Sequence, residues 1–202
     1  SNLDDPTGKV ALGLVLPVIT DSAADEEVTH PTDDFDYPER LGEITLTLGQ
    51  YDNSDFPTGT ELGIGGNPLV SNAEGGYTII IVDDNGAIDT ELHHSDLATG
   101  QMDVNYLTQA EYESIEALLA EDRHENFEVH VSVKSYEVDS AGSPLPDSEV
   151  GTGNGGVNGA ESTQTIRVDV LAVTDDVELV LTPSTQTDVV IDIAADNKSA
   201  DV

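Results

Sequence analysis

Carboxylates are the side chains that this chain offers most freely for chemistry. Two loop clusters stand out: Asp33, Asp34 and Asp36 in one, Asp52 and Asp55 in the other. Hard cations such as Ca²⁺ and Mg²⁺ take oxygen ligands from short acidic loops of this kind. These five residues are therefore the candidate metal ligands. The EF-hand pattern does not fit around Asp83. With Gly86 at its sixth position, the first ligand would fall on Ile81. Acid is so abundant here that a solvated acidic face is the simpler account of such clusters.

The remaining chemistry-bearing residues are sparse. His30, His93, His94, His124 and His130 match no metalloprotease spacing. The adjacent pair His93 and His94 would face opposite sides of a strand, and all five read as exposed. Gly151-Thr-Gly-Asn-Gly-Gly156 satisfies G-x-G-x-x-G. Pro144 and Pro146 precede it, and no good helix start follows, so a glycine loop is the better reading than a dinucleotide site. Cysteine is absent, which removes disulfides, thiolate metal sites and a cysteine nucleophile. No G-x-S-x-G elbow is present, and no pair of carboxylates can be singled out for glycoside cleavage. Catalytic and cofactor-binding residues are thus read as none, and the chain as non-enzymatic.

Charge sets the habitat. The 202 residues carry 41 Asp and Glu against 6 Lys and Arg, a formal net charge of −35. Such a surface repels itself at ordinary ionic strength. In molar salt the Debye length falls to roughly 3 Å and the repulsion is largely screened. A folded protein of this composition fits brine, and we read it as the product of an extreme halophile or of a virus infecting one. Disorder is the rival explanation for high charge. Against it, 37% of the residues are hydrophobic and fall in regular runs. Three Lys and three Arg, scattered, give no basis for nucleic-acid binding, which needs clustered cations. The apolar stretch 10–19 is broken by Gly13 and Pro17, is too short to span a bilayer and follows no basic segment. No membrane insertion is expected, and the stretch does not read as a signal peptide.

The elements that must position these residues are mostly strands. Residues 9–19 are apolar at both alternating sets and predict a strand covered on both faces. A long acidic loop covers about 20–40. Residues 43–51 alternate, with Ile44, Leu46 and Leu48 on one side and Thr45 and Thr47 on the other. Residues 76–95 read as a hairpin about Asn85-Gly86. Thr108-Gln-Ala-Glu111 is a capping box with Leu107 and Tyr112 at the staple positions. It opens a helix expected to run over about 108–123, with Tyr112, Ile115, Leu118 and Leu119 on its apolar face. In 127–138, Phe127, Val129, Val131 and Val133 share a face. A Gly/Ser/Pro-rich loop over about 139–162 precedes strand signals at 164–173, 177–181 and 189–193. With no βαβ rhythm, the pattern predicts an antiparallel β-sandwich or barrel of about 8–9 strands and one flanking helix. One domain, 1–202, is expected.

The stretch 100–133 resembles part of the tail-tube proteins of long-tailed viruses. It reads as a strand (Gln101 to Leu107), a short helix ending in Ala117-Leu-Leu-Ala120, and a strand (Phe127 to Val133). The resemblance implies a β-sandwich flanked by one helix, with long loops joining stacked rings. A jelly-roll capsid subunit shows a similar strand count. Both imply a self-assembling virion subunit, with copies of itself as partners. The alternative is a secreted or cell-surface β-sandwich binding domain of a halophilic archaeon, with Ca²⁺ as its cation.

Overall fold

Thr45 and Ile44 sit at the centre of the best-paired strand, and the sheet grows outward from them. A computed structural model of the chain describes residues 8–19, 37–51, 59–120, 125–150, 157–170, 192–193 and 198–199. Strand β2 (Glu39–Gln50) pairs antiparallel with β8 (Phe127–Glu137) on one side and β5 (Tyr77–Ile81) on the other. Beyond them lie β6 (Val104–Leu107) and β9 (Ala160–Val168), giving the order β6-β5-β2-β8-β9. The second layer has the order β1-β7-β3-β4, formed by β1 (Lys9–Ala11), β7 (Glu116–Leu118), β3 (Glu61–Ile64) and β4 (Asn67–Pro68). The molecule is mainly β, two sheets forming a sandwich, as the alternation predicts. One pair departs from the antiparallel rule: β5 and β6 run parallel.

Period-2 burial explains the core between the layers. Ile44, Leu46, Ile79, Phe127 and Val129 from one sheet meet Leu62, Ile115 and Ala117 from the other side, all fully buried. Burying a large aliphatic side chain contributes about 1.5–3 kcal/mol. Tyr77 also ties the layers through its hydroxyl, which accepts the Leu62 N–H at 3.1 Å. Burial pushes that phenol above its ordinary pKa.

The long helix is the main correction to the sequence reading. The capping box forms as expected: Glu111 N–H reaches Thr108 Oγ1 at 3.3 Å and Thr108 N–H reaches Glu111 Oε2 at 2.8 Å. However, α1 covers only Gln109–Glu113 and ends at Ser114, whose hydroxyl donates to the Glu111 carbonyl at 2.8 Å. Glu116–Leu118 is then a strand held on both sides, with Ala117 opposite Val10 of β1 and Leu62 of β3. Glu-Ala-Leu are good helix formers, but propensity differences of a few tenths of a kcal/mol per residue are outweighed by two ladders. Arg123 and His124 lie outside the described residues.

Other boundaries move as well. In 9–19 only β1 pairs; beyond it Leu12 and Leu14 are buried while Val15 and Val18 are exposed, so the segment is covered on one face, not two. The Asn85-Gly86 turn forms with Gly86 at φ 80° and a bridge between Val82 and Ile88. The returning chain does not continue as a strand, because β6 takes that edge of β5. Gly65 and Gly66, both at positive φ, close a β3–β4 hairpin that the sequence reading missed although the Gly-Gly signal was present. The 139–162 loop is shorter than expected, since β9 begins at Ala160. Its described part is anchored by Asn158, whose Nδ2 donates to the carbonyls of Glu137 (3.0 Å) and Leu145 (2.7 Å).

Everything above belongs to one compact unit reaching to Ala172. A second unit spans Val173–Val202; its described part is an antiparallel pair of β10 (Asp192–Ile193) and β11 (Lys198–Ser199). Among the described residues no helix is long and apolar enough to cross a membrane.

Candidate functional site

The five candidate metal ligands, Asp33, Asp34, Asp36, Asp52 and Asp55, lie outside the described residues, as do His30 and the glycine loop 151–156. Among the described residues no three His, Cys, Asp or Glu side chains are gathered to hold a metal. Asp83 serves its own turn. Its Oδ1 accepts the N–H groups of Asn85 (2.8 Å) and Ala87 (2.9 Å), and these bonds lower its pKa.

The adjacent histidines are buried, not exposed as their sequence setting suggested. The register of β2 against β8 slips between Leu41 and Ile44, which bulges Gly42 and Glu43 out of the ladder. The completely buried His93 completes the interrupted pattern. Its Nε2 accepts the Ile81 N–H at 2.9 Å, so Nδ1 carries the proton and donates to the Gly42 carbonyl at 2.9 Å. Both ring nitrogens are used by a neutral ring, and burial lowers the pKa. His94 packs edge-on to Tyr136, with ring centroids 5.2 Å apart. Its Nδ1 is buried without a partner, and burial lowers its pKa against the pull of Asp96 and Glu43. These two side chains are structural; a bulge cannot be read from alternation, so their burial was not legible. His130 is exposed as expected and meets Thr165 Oγ1 at 3.1 Å.

The feature that invites another molecule is the β9 end of the larger sheet. β9 pairs with β8 over nine consecutive positions, Phe127 opposite Val168 through Ser135 opposite Ala160. Among the described residues no strand pairs with its other edge. A backbone edge of this kind is a ready template for a further strand. Beside it lies an open cleft of about 930 Å³ between the 12–19 segment and the sheet. Val131 and Val133 of β8, Ile166 of β9 and Leu14 and Val18 contribute to its walls, and its charged lining residues are Glu39 and Glu161. Val15 and Val18 are 75% and 81% exposed, an unusual display of apolar side chain in so acidic a protein.

A comparison of the chain with protein-family models, curated proteins and solved structures finds no match.

Proposed function

We propose that the chain is a non-enzymatic, self-assembling structural subunit, a tail-tube or capsid protein in the virion of a virus that infects a halophilic archaeon. The observation that carries self-assembly is the long edge of β9, unpaired among the described residues, beside an open cleft of mixed polar and apolar lining. The virion assignment rests on the strand-rich sandwich together with the acidic composition. The one-turn α1 leaves the reading on that edge more than on the tail-tube likeness.

Screening governs when such subunits meet. At low salt copies of net charge −35 repel one another over a long range. In molar salt that repulsion contracts to contact distance, and hydrogen bonds and apolar burial decide. Sedimentation velocity and electron microscopy of the purified chain, from about 0.1 to about 3 M KCl, test the reading. Oligomers that grow with salt into rings, tubes or shells are expected. A chain that stays monomeric at high concentration in molar salt overturns it in favour of a surface binding domain.

A further inference from the structure

The sequence of β9 is complementary to its own reverse. About Gln164 as centre, Glu161 faces Arg167, Ser162 faces Ile166, and Thr163 faces Thr165. We propose that β9 is a two-fold contact at which two copies of this chain pair antiparallel, with the two Gln164 residues opposite each other. The two five-stranded sheets then join across the contact. This deepens the self-assembly reading and rests on it, without depending on which particle is built.

Several observations on the strand converge on that partner. Residues 160–165 and Arg167 are exposed, and β9 contains no Pro, no Lys and no bulge, the usual guards of an edge. Its two charges are of opposite sign and equidistant from Gln164. Both are held on the outer face: Glu161 accepts the Ser132 hydroxyl at 2.6 Å, and Arg167 reaches Glu128 at 3.2 Å and lies over the Tyr51 ring. A symmetric antiparallel pair must place like faces together, so the axis passes through a residue, not between two. Centring on Thr165 would oppose Glu161 to Asp169, two like charges. Centring on Thr163 would oppose Arg167 to Gly159 and leave both charges without a cross-strand counterpart. Only Gln164 gives opposite charges, and a symmetric contact of this type is self-complementary by construction. In brine the exposed ion pairs select register more than they add affinity. The ladder supplies the hydrogen bonds, and Ile166 at the cleft wall supplies apolar contact.

The natural chain has no cysteine, so a single introduced thiol reports position cleanly. Directly opposed residues have Cα atoms about 4.5–5.5 Å apart, within disulfide range. Gln164→Cys should therefore oxidise to a covalent dimer in molar KCl. Ser162→Cys and Ile166→Cys should each stay uncrosslinked, since like positions then lie roughly 13 Å apart along the strands, yet crosslink when the two variants are mixed. Glu161→Arg should weaken dimerisation roughly tenfold, and Glu161→Arg with Arg167→Glu should restore it, with melting curves confirming the fold in each. If the natural chain assembles but position 164 does not crosslink, or all three positions crosslink alike, the contact is wrong and self-assembly stands. If the natural chain is monomeric in molar salt, both fail.

Discussion

The two ends of the five-stranded sheet are finished in different ways. At the β6 end the edge strand is short, only four residues, and side chains complete what the backbone leaves undone. Asn105 accepts the Val70 N–H at 2.8 Å through Oδ1 and donates through Nδ2 to the carbonyls of Val70 (2.8 Å) and Thr78 (3.1 Å). The capping box of α1 follows at once, and His93 closes the bulge two strands inward. At the β9 end nine residues run straight, and among the described residues no strand pairs with their outer edge. Among the described residues, the same sheet therefore has one edge protected by hydrogen bonds and one protected only by charge. Hydrogen bonds hold at any salt concentration, whereas charge repulsion is removed by brine. High salt would turn the second edge from guarded to available.

The largest effect should come from the closed half. Ile115 is completely buried between the layers, and Ile115→Asp places an unpaired charge there at a cost of about 3–5 kcal/mol. Thermal melting in molar KCl should show a large loss; a melt equal to that of the natural chain would mean this half is not packed as described. Asn105→Ala removes three hydrogen bonds from a residue only 8% exposed and should cost about 1–3 kcal/mol while leaving assembly intact. Loss of assembly without loss of stability would reverse the roles assigned to the two ends.

Acid should act on the closed half next. Burial holds the pKa of His93 and His94 below the ordinary 6.5, so both are neutral in the fold. Below pH 6.5 the unfolded chain binds protons that the folded chain refuses. Their contribution is thus fully present above 6.5 and is lost as pH falls from there toward the folded values, by at most about 1.4 kcal/mol per pH unit for each ring. His94→Gln should make the decline between pH 7.5 and 5.5 shallower in denaturant titrations; an unaltered slope would remove His94 from this account. Thr108→Ala breaks the cap and should cost about 1 kcal/mol, read from the same melts. The smallest change in folding belongs to the open edge: Thr163→Ala should stay within about 0.5 kcal/mol of the natural chain, because its site is exposed. A larger loss would show that β9 is already engaged by its own chain.

Much of this fold was written locally. The alternation of Ile44, Leu46 and Leu48, that of Phe127, Val129 and Val131, and the Thr108–Glu111 box each report a nearby physical constraint, and each leads to an observed element. Elements whose state depends on distant partners were not legible. Glu116–Leu118 carries helix formers but becomes a strand because β1 and β3 flank it. The burial of His93 depends on a bulge 51 residues away from it in sequence. The candidate acids Asp33, Asp34, Asp36, Asp52 and Asp55 remain expectations from sequence alone.

The sequence by itself determined the class, since period-2 runs demand sheets, and it carries a net charge of −35 whose self-repulsion salt screens. It also contained the mirror relation within 160–168, since opposite charges at equal distance from Gln164 are a fact of order along the chain. Only tertiary structure decided that this segment is the edge of the sheet among the described residues. Which strand ends a sheet depends on what pairs with every other strand, a property of the whole topology that no local window of residues can state.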